Sequence, residues 1–114
     1  MAAGGGNPWA GEVALVIDGE RHRLKLTLGA LAELEAGLEA GTLMELVQRF
    51  EAGAFSSRDV LALIVAGLRG GGWQGQARDL LAAEIAGGPM GAARVAAELL
   101  ARAFMLPGQA DAGV

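Results

Sequence analysis

The sequence predicts an α+β fold in which an N-terminal β-hairpin packs on a small bundle of four to five α-helices. Two observations support this prediction. Alternating apolar and polar residues flank Asp18-Gly19, and apolar residues at helical spacing recur from Leu31 onwards. The 114 residues include 19 glycines, which break the chain into short elements. We expect one mostly helical domain over residues 11–106, between flexible tails at residues 1–10 and 107–114.

The composition predicts a globular cytoplasmic protein. Hydrophobic residues make up 53% of the chain, enough for one core, and the absence of cysteine excludes disulfides and thiolate chemistry. Met1–Gly6 lack the basic start and apolar stretch of a signal peptide. The longest uncharged apolar run, Val60–Leu68, is far shorter than the roughly 20 residues that span a bilayer. We therefore expect no export and no membrane partner.

Residues 12–28 are predicted to form the hairpin. Asp18-Gly19 favours a two-residue turn, because both central positions of such a turn need a positive φ. In each strand the residues alternate, so cations are expected on the outer face and aliphatic residues on the inner face. The cations are Arg21, Arg23 and Lys25, and the inner aliphatic residues are Val13, Leu15, Ile17, Leu24, Leu26 and Leu28.

The next two segments are predicted helices. The first should run from about Gly29 to Ala40 and end with Gly41 as its C-terminal cap. Its apolar residues recur at helical spacing, and its glutamates turn towards water. The second begins with Thr42-Leu-Met-Glu45, a capping box in which two side chains satisfy two free amide groups. The apolar stripes are Leu31, Leu34 and Leu38 in the first helix, and Leu43, Leu46, Val47 and Phe50 in the second.

Three further helices are predicted in the second half of the chain. Ser56 or Ser57 should cap the third helix, which is apolar on nearly every side and is expected to be central and buried. A shorter helix is expected from about Gln76 to Ala86. The last begins near Gly88-Pro89, since proline is tolerated in a first turn.

The polar residues show no assembled catalytic or ligand site. Gly70–Gly75 matches the spacing of a dinucleotide fingerprint, but the motif follows a predicted helix where a strand is required. A plain interhelical loop, with Trp73 packed against the helices, explains it better. His22 is the only histidine and has no companion ligands at a recognised spacing, so we expect a partly buried strand residue. We predict no enzyme activity, no cofactor and no metal.

The charges are unevenly distributed, although the net charge is only −4. The hairpin is basic, whereas residues 29–52 carry five glutamates against Arg49 alone. Two interpretations remain open: an ordinary solvated surface, or a bipolar surface that steers a protein partner. Three exposed cations are too few to indicate a nucleic-acid site. The glutamates are Glu33, Glu35, Glu39, Glu45 and Glu51.

Several short stretches, taken in order, resemble the tail assembly chaperone family of alphaproteobacterial gene transfer agents and related siphophages. The similar stretches are residues 11–20, residues 24–35, Phe55–Leu61, Ala66–Trp73 and the alanine-rich end through Phe104. The resemblance covers about residues 8–106. It rests on the order of the stretches, since none is diagnostic alone.

The resemblance implies a non-enzymatic protein that coats the tape measure protein before the tail tube polymerises around it. Further contacts with the tail tube protein and self-association are compatible with that role. The structural alternative is a minor tail component retained in the finished particle. The family supplies no motif that defines a binding site, so the candidate partner-binding residues are chosen from this chain's cations and aromatic residues: Arg21, Arg23, Lys25, Phe55 and Trp73.

Overall fold

The computed structural model describes residues 12–38 and 41–104, and confirms the α+β class. A two-stranded hairpin precedes four α-helices, with one 3-10 turn before the last helix. The predicted tails and the predicted end of the first helix at Ala40 lie outside the described residues. The elements are β1 Val13–Ile17, β2 Glu20–Leu24, α1 Leu28–Gly37, α2 Leu43–Glu51, α3 Ser57–Gly70, the 3-10 turn Ala77–Leu80 and α4 Gly88–Phe104.

The hairpin forms around the predicted two-residue turn. Asp18 and Gly19 have φ values of 52° and 81°, the positive values that this turn requires. The strands pair antiparallel, with Val13 opposite Leu24. The alternation is confirmed, since the inner residues are buried while Arg21 and Arg23 are exposed. The buried hairpin residues are Val13, Leu15, Ile17 and Leu24, followed by Leu26 in the connection to α1.

The inner position predicted for Leu28 is wrong. The second strand ends at Leu24, and Leu28 is the first residue of α1, with 83% of its surface exposed. Thr27 causes this change of direction, because its hydroxyl accepts a hydrogen bond from the Ala30 amide at 3.0 Å and caps the helix.

Helix α3 lies at the centre of the fold, as predicted. It contacts α1, α4 and β2, and Leu63, Ile64 and Leu68 are at most 1% exposed. The predicted capping box of Thr42 and Glu45 forms at α2, and of the two serines predicted to cap α3 the structure uses Ser56, which forms a second capping box with Asp59. The predicted glycine cap of α1 is wrong, because α1 already ends at Gly37 with an extended Leu38 as its C-cap.

Glycines at the end of α3 let the hairpin approach the helix backbone. A Cβ atom at Gly70 would overlap the carbonyl oxygen of Lys25, and one at Gly71 would overlap that of Arg23. The Lys25 amide also donates to the Gly67 carbonyl at 2.9 Å. The glycine-rich segment therefore begins as a packing seam and continues as the interhelical loop that we predicted.

The helix predicted over Gln76–Ala86 is wrong. Only Ala77–Leu80 is helical, as a single 3-10 turn. Residues 81–87, here called the strap, instead run beside the hairpin, where Ile85 forms a β-bridge with Ile17. Backbone pairing with β1 therefore replaces the helical hydrogen bonds expected in this segment. Helix α4 then begins at the predicted Gly88-Pro89.

Candidate functional site: an apolar groove

An open groove of about 670 Å³ lies between the first half of α3, the strap and the start of α4. Ser57 and Arg58, in the first turn of α3, are the polar residues of its lining. The rest of the lining is apolar, and the buried Ile64 contributes to it. The apolar residues are Phe55, Val60, Leu61, Ile64, Leu80, Leu81, Ile85, Pro89, Met90, Ala92 and Ala93.

Two large side chains of the groove are strongly exposed. Leu81, on the strap, is 73% exposed, and Met90, in the first turn of α4, is 75% exposed. In the described part of the chain, the other exposed large hydrophobic residues, Val16, Leu28 and Met44, do not line this groove. Exposed apolar side chains beside an apolar groove are typical of a surface that binds another apolar surface.

The N-terminus of α3 is fixed by charge-assisted hydrogen bonds. Asp59 accepts from Arg49 Nε at 3.0 Å and from Arg49 Nη2 at 2.9 Å, which joins α2 to α3. It also accepts from the Ser56 amide at 2.9 Å. The hydrogen bonds from Arg49 lower the pKa of Asp59, outweighing the opposite effect of burial, and the same pairing raises the pKa of Arg49. The pair therefore holds the helix that forms the groove floor.

The structure separates the candidate partner-binding residues. Phe55 lies in the groove and stacks on Phe50, with ring centroids 4.4 Å apart and an interplanar angle of 7°. Trp73 is half-buried against the core, and its amide donates to the Leu68 carbonyl at the end of α3.

The three cations lie on and beside the hairpin. Arg21 and Arg23 project from the outer face of β2, and the Nη1 atom of Arg23 is 3.9 Å from the Oε1 atom of Glu12. Lys25 is half-buried just after β2. Of the five predicted residues, the groove includes Phe55, and the role of all five in partner binding stays a prediction.

The strap and the start of α4 supply groove residues that the sequence analysis missed, chiefly Leu81, Ile85 and Met90. The sequence does carry a signal for these residues, because large apolar side chains lie on both sides of Gly87-Gly88. Interpreting Gln76–Ala86 as a helix hid that signal. A helix in this segment would have buried one face, whereas the actual turn leaves Leu81 exposed.

Among the residues that the structure describes, no three His, Asp or Glu side chains come together in a group that could hold a metal ion. In the same part of the chain, no helix combines the length and the apolar character required to cross a bilayer. His22 is half-buried, as predicted, with its Nε2 atom 3.8 Å from Glu20.

A small helical domain with an open apolar groove has the geometry of a protein-binding module. Comparison with protein families gives a match over residues 10–106 to a model described as phage tail tube protein, GTA-gp10. The chain belongs to this family. No curated protein matches the chain. No solved structure matches it either.

The family match confirms the coarser part of the predicted function. The protein is related to the tails of phages and gene transfer agents, and the family description names a tail tube protein. The expected partners are accordingly proteins of the tail.

Proposed function

We propose that this protein is a tail assembly chaperone, which covers the apolar helical surface of the tape measure protein in the bacterial cytoplasm during tail assembly. The observation that supports the proposal is the open apolar groove with Leu81 and Met90 exposed at its edge. A partner helix can dock in such a groove through apolar side chains spaced one turn apart. In the absence of a cover, the same side chains of the partner would promote aggregation.

The form of the groove suits a reversible contact. It is open to solvent, and two of its large side chains are mostly exposed before any partner binds. A modest contact repeated by many copies along a long partner gives strong overall binding while each copy can still be displaced.

Co-expression tests this proposal. We expect the tape measure protein to stay in the soluble fraction with the wild-type chain and to aggregate with the double variant Leu81→Ser, Met90→Ser. The matched control is Leu28→Ser, Met44→Ser, which removes two exposed apolar side chains outside the groove. The control should protect as well as the wild type. Equal tape measure solubility with and without the wild-type chain would contradict a chaperone role.

The alternative role is that of a structural component retained in the tail. The family description favours this alternative, because it names a tail tube protein. Mass spectrometry of purified particles distinguishes the roles. A transient chaperone should be absent or far below the copy number of the tube subunits, whereas stoichiometric retention would support the structural role and contradict a purely transient one.

A further inference from the structure

The strap is tied to the turn of the hairpin by a compact set of hydrogen bonds. The Asp18 amide donates to the Glu84 carbonyl at 2.7 Å, and the Glu84 amide donates to Asp18 Oδ1 at 2.8 Å. Two residues further along each segment, the Ala86 amide donates to the Val16 carbonyl at 3.0 Å. Asp18 therefore bonds both polar groups of the Glu84 backbone, one with its amide and one with its side chain.

The strap is also a wall of the groove. Leu81 and Ile85 line the groove, and Glu84 lies between them in the sequence. Among the described residues, the other backbone hydrogen bonds of this segment are local: the amides of Leu81, Ala83, Gly88 and Gly91 donate to the carbonyls of Arg78, Leu80, Ile85 and Gly87, respectively. The position of the wall relative to α3 thus depends on the contacts between the strap and the hairpin.

We propose that Asp18 is a positioning residue for the groove. Its carboxylate holds Glu84, and with it Leu81 and Ile85, at the place where the groove accepts an apolar helix. Ordering this wall before the partner arrives reduces the conformational entropy that binding must remove. The proposal rests on the proposed function, because it takes the docked partner to be a tape measure helix.

Two substitutions at this position separate the side-chain contact from the turn. Glycine and asparagine both accept the positive φ of residue 18, and Gly-Gly and Asn-Gly are both favourable in a two-residue turn. Asp18→Asn keeps an oxygen that can accept from Glu84, whereas Asp18→Gly removes the acceptor. Both variants are expected to keep the hairpin.

The test measures binding and strap order in the full-length variants. We expect Asp18→Gly to weaken binding of the tape measure protein about fivefold, the scale of one lost hydrogen bond, and to speed amide hydrogen exchange at Glu84 and Ala86. Asp18→Asn should keep most of the wild-type affinity for the tape measure protein and most of the slow amide exchange at Glu84 and Ala86. Unchanged affinity in Asp18→Gly, or an equal loss of affinity in Asp18→Asn, would overturn the proposal.

A second probe separates this inference from the proposed function. Anilinonaphthalene sulfonate, an apolar dye, should bind the wild-type groove and lose fluorescence with Leu81→Ser, Met90→Ser. If the wild type binds the dye but not the tape measure protein, the proposed function fails. Weaker dye binding in Asp18→Gly than in Asp18→Asn would then still support the positioning role, and equal dye binding by these two variants would refute it.

Discussion

The two sides of helix α3 differ in how closely they are packed. Towards the hairpin, Gly70 and Gly71 bring the helix end so near to β2 and the residue that follows it that a methyl group would overlap carbonyl oxygens. Towards the strap and α4, the same helix faces an open groove in which Leu81 and Met90 are largely exposed. One side is closed by backbone contact, and the other leaves apolar side chains uncovered.

This difference separates stability from binding. A tightly packed seam tolerates no added volume, since interiors are packed as densely as organic crystals. An exposed apolar side chain contributes little to folding and becomes useful only when a partner covers it. We therefore expect changes at the seam to destabilise the fold, and changes at the groove edge to affect binding alone.

The largest effect is expected at the seam. Gly70→Ala would place a methyl group against the Lys25 carbonyl, so the hairpin must move away from α3. We expect the free energy of unfolding in urea to fall by about 3 kcal/mol, at the upper end of ordinary overpacking.

The matched control is Gly37→Ala at the end of α1, where an added methyl group would meet no atom within 4 Å. This variant should be neutral or more stable by up to about 1 kcal/mol, from helix propensity. Equal stability of the two alanine variants would show that the seam is not tightly packed.

A smaller effect is expected at the pair that holds the start of α3. Asp59→Asn should lower the free energy of unfolding by about 2 kcal/mol at pH 7, because the charge-assisted bonds from Arg49 are weakened. The difference from the wild type should depend on pH. Since the pKa of Asp59 is lowered in the fold, its contribution is complete above the unfolded value of about 3.9 and is lost as the pH falls through the folded value.

Urea unfolding at pH 7, 5 and 3 measures this dependence. The difference in the free energy of unfolding between wild type and Asp59→Asn should be equal at pH 7 and pH 5 and smaller at pH 3. Glu51→Gln, an exposed carboxylate on α2, serves as the control and should change stability little at any of them. A gap that widens in acid would contradict the assigned direction of the pKa.

The outer face of the hairpin should contribute to the rate of association. Arg21 and Arg23 are exposed there, and exposed cations steer an oppositely charged partner more than they hold it. We expect Arg21→Ala, Arg23→Ala to slow association with the tape measure protein about threefold in low salt, with an unchanged dissociation rate. Surface plasmon resonance at two salt concentrations would check this, and a changed dissociation rate would indicate direct contact instead.

The smallest effect on stability is expected at the edge of the groove. Leu81→Ser, Met90→Ser should alter the free energy of unfolding by no more than about 0.5 kcal/mol, because both side chains are mostly exposed. Urea denaturation would measure it. A loss comparable with that of Gly70→Ala would mean that these residues support the fold, and the division between seam and groove would fail.

The sequence predicted the secondary-structure elements well where residues close together in the chain determine them. Asp18-Gly19 specified the turn, and the capping box at Thr42 and the serine cap before α3 specified two helix starts, because each involves residues at most three apart. The alternation along the hairpin also predicted its buried face correctly. In each case the determining contacts are near in sequence.

The contacts that build the groove are distant in sequence and could not be predicted in this way. Ile85 pairs with Ile17, and Asp18 bonds Glu84, across more than sixty positions. These bonds pull residues 81–87 out of the helix that their composition favours. The close approach of Gly70 to the hairpin is equally non-local, so the sequence showed only that glycines were present.

Site-specific photo-crosslinking tests the central claim, that the groove binds the tape measure protein, most directly. A photoreactive amino acid at position 90, on the groove, is compared with the same residue at position 44, an exposed methionine on α2 outside it. We predict crosslinks to the tape measure protein from position 90 and few from position 44. Equal yields at both positions, or crosslinks from position 44 alone, would contradict the claim.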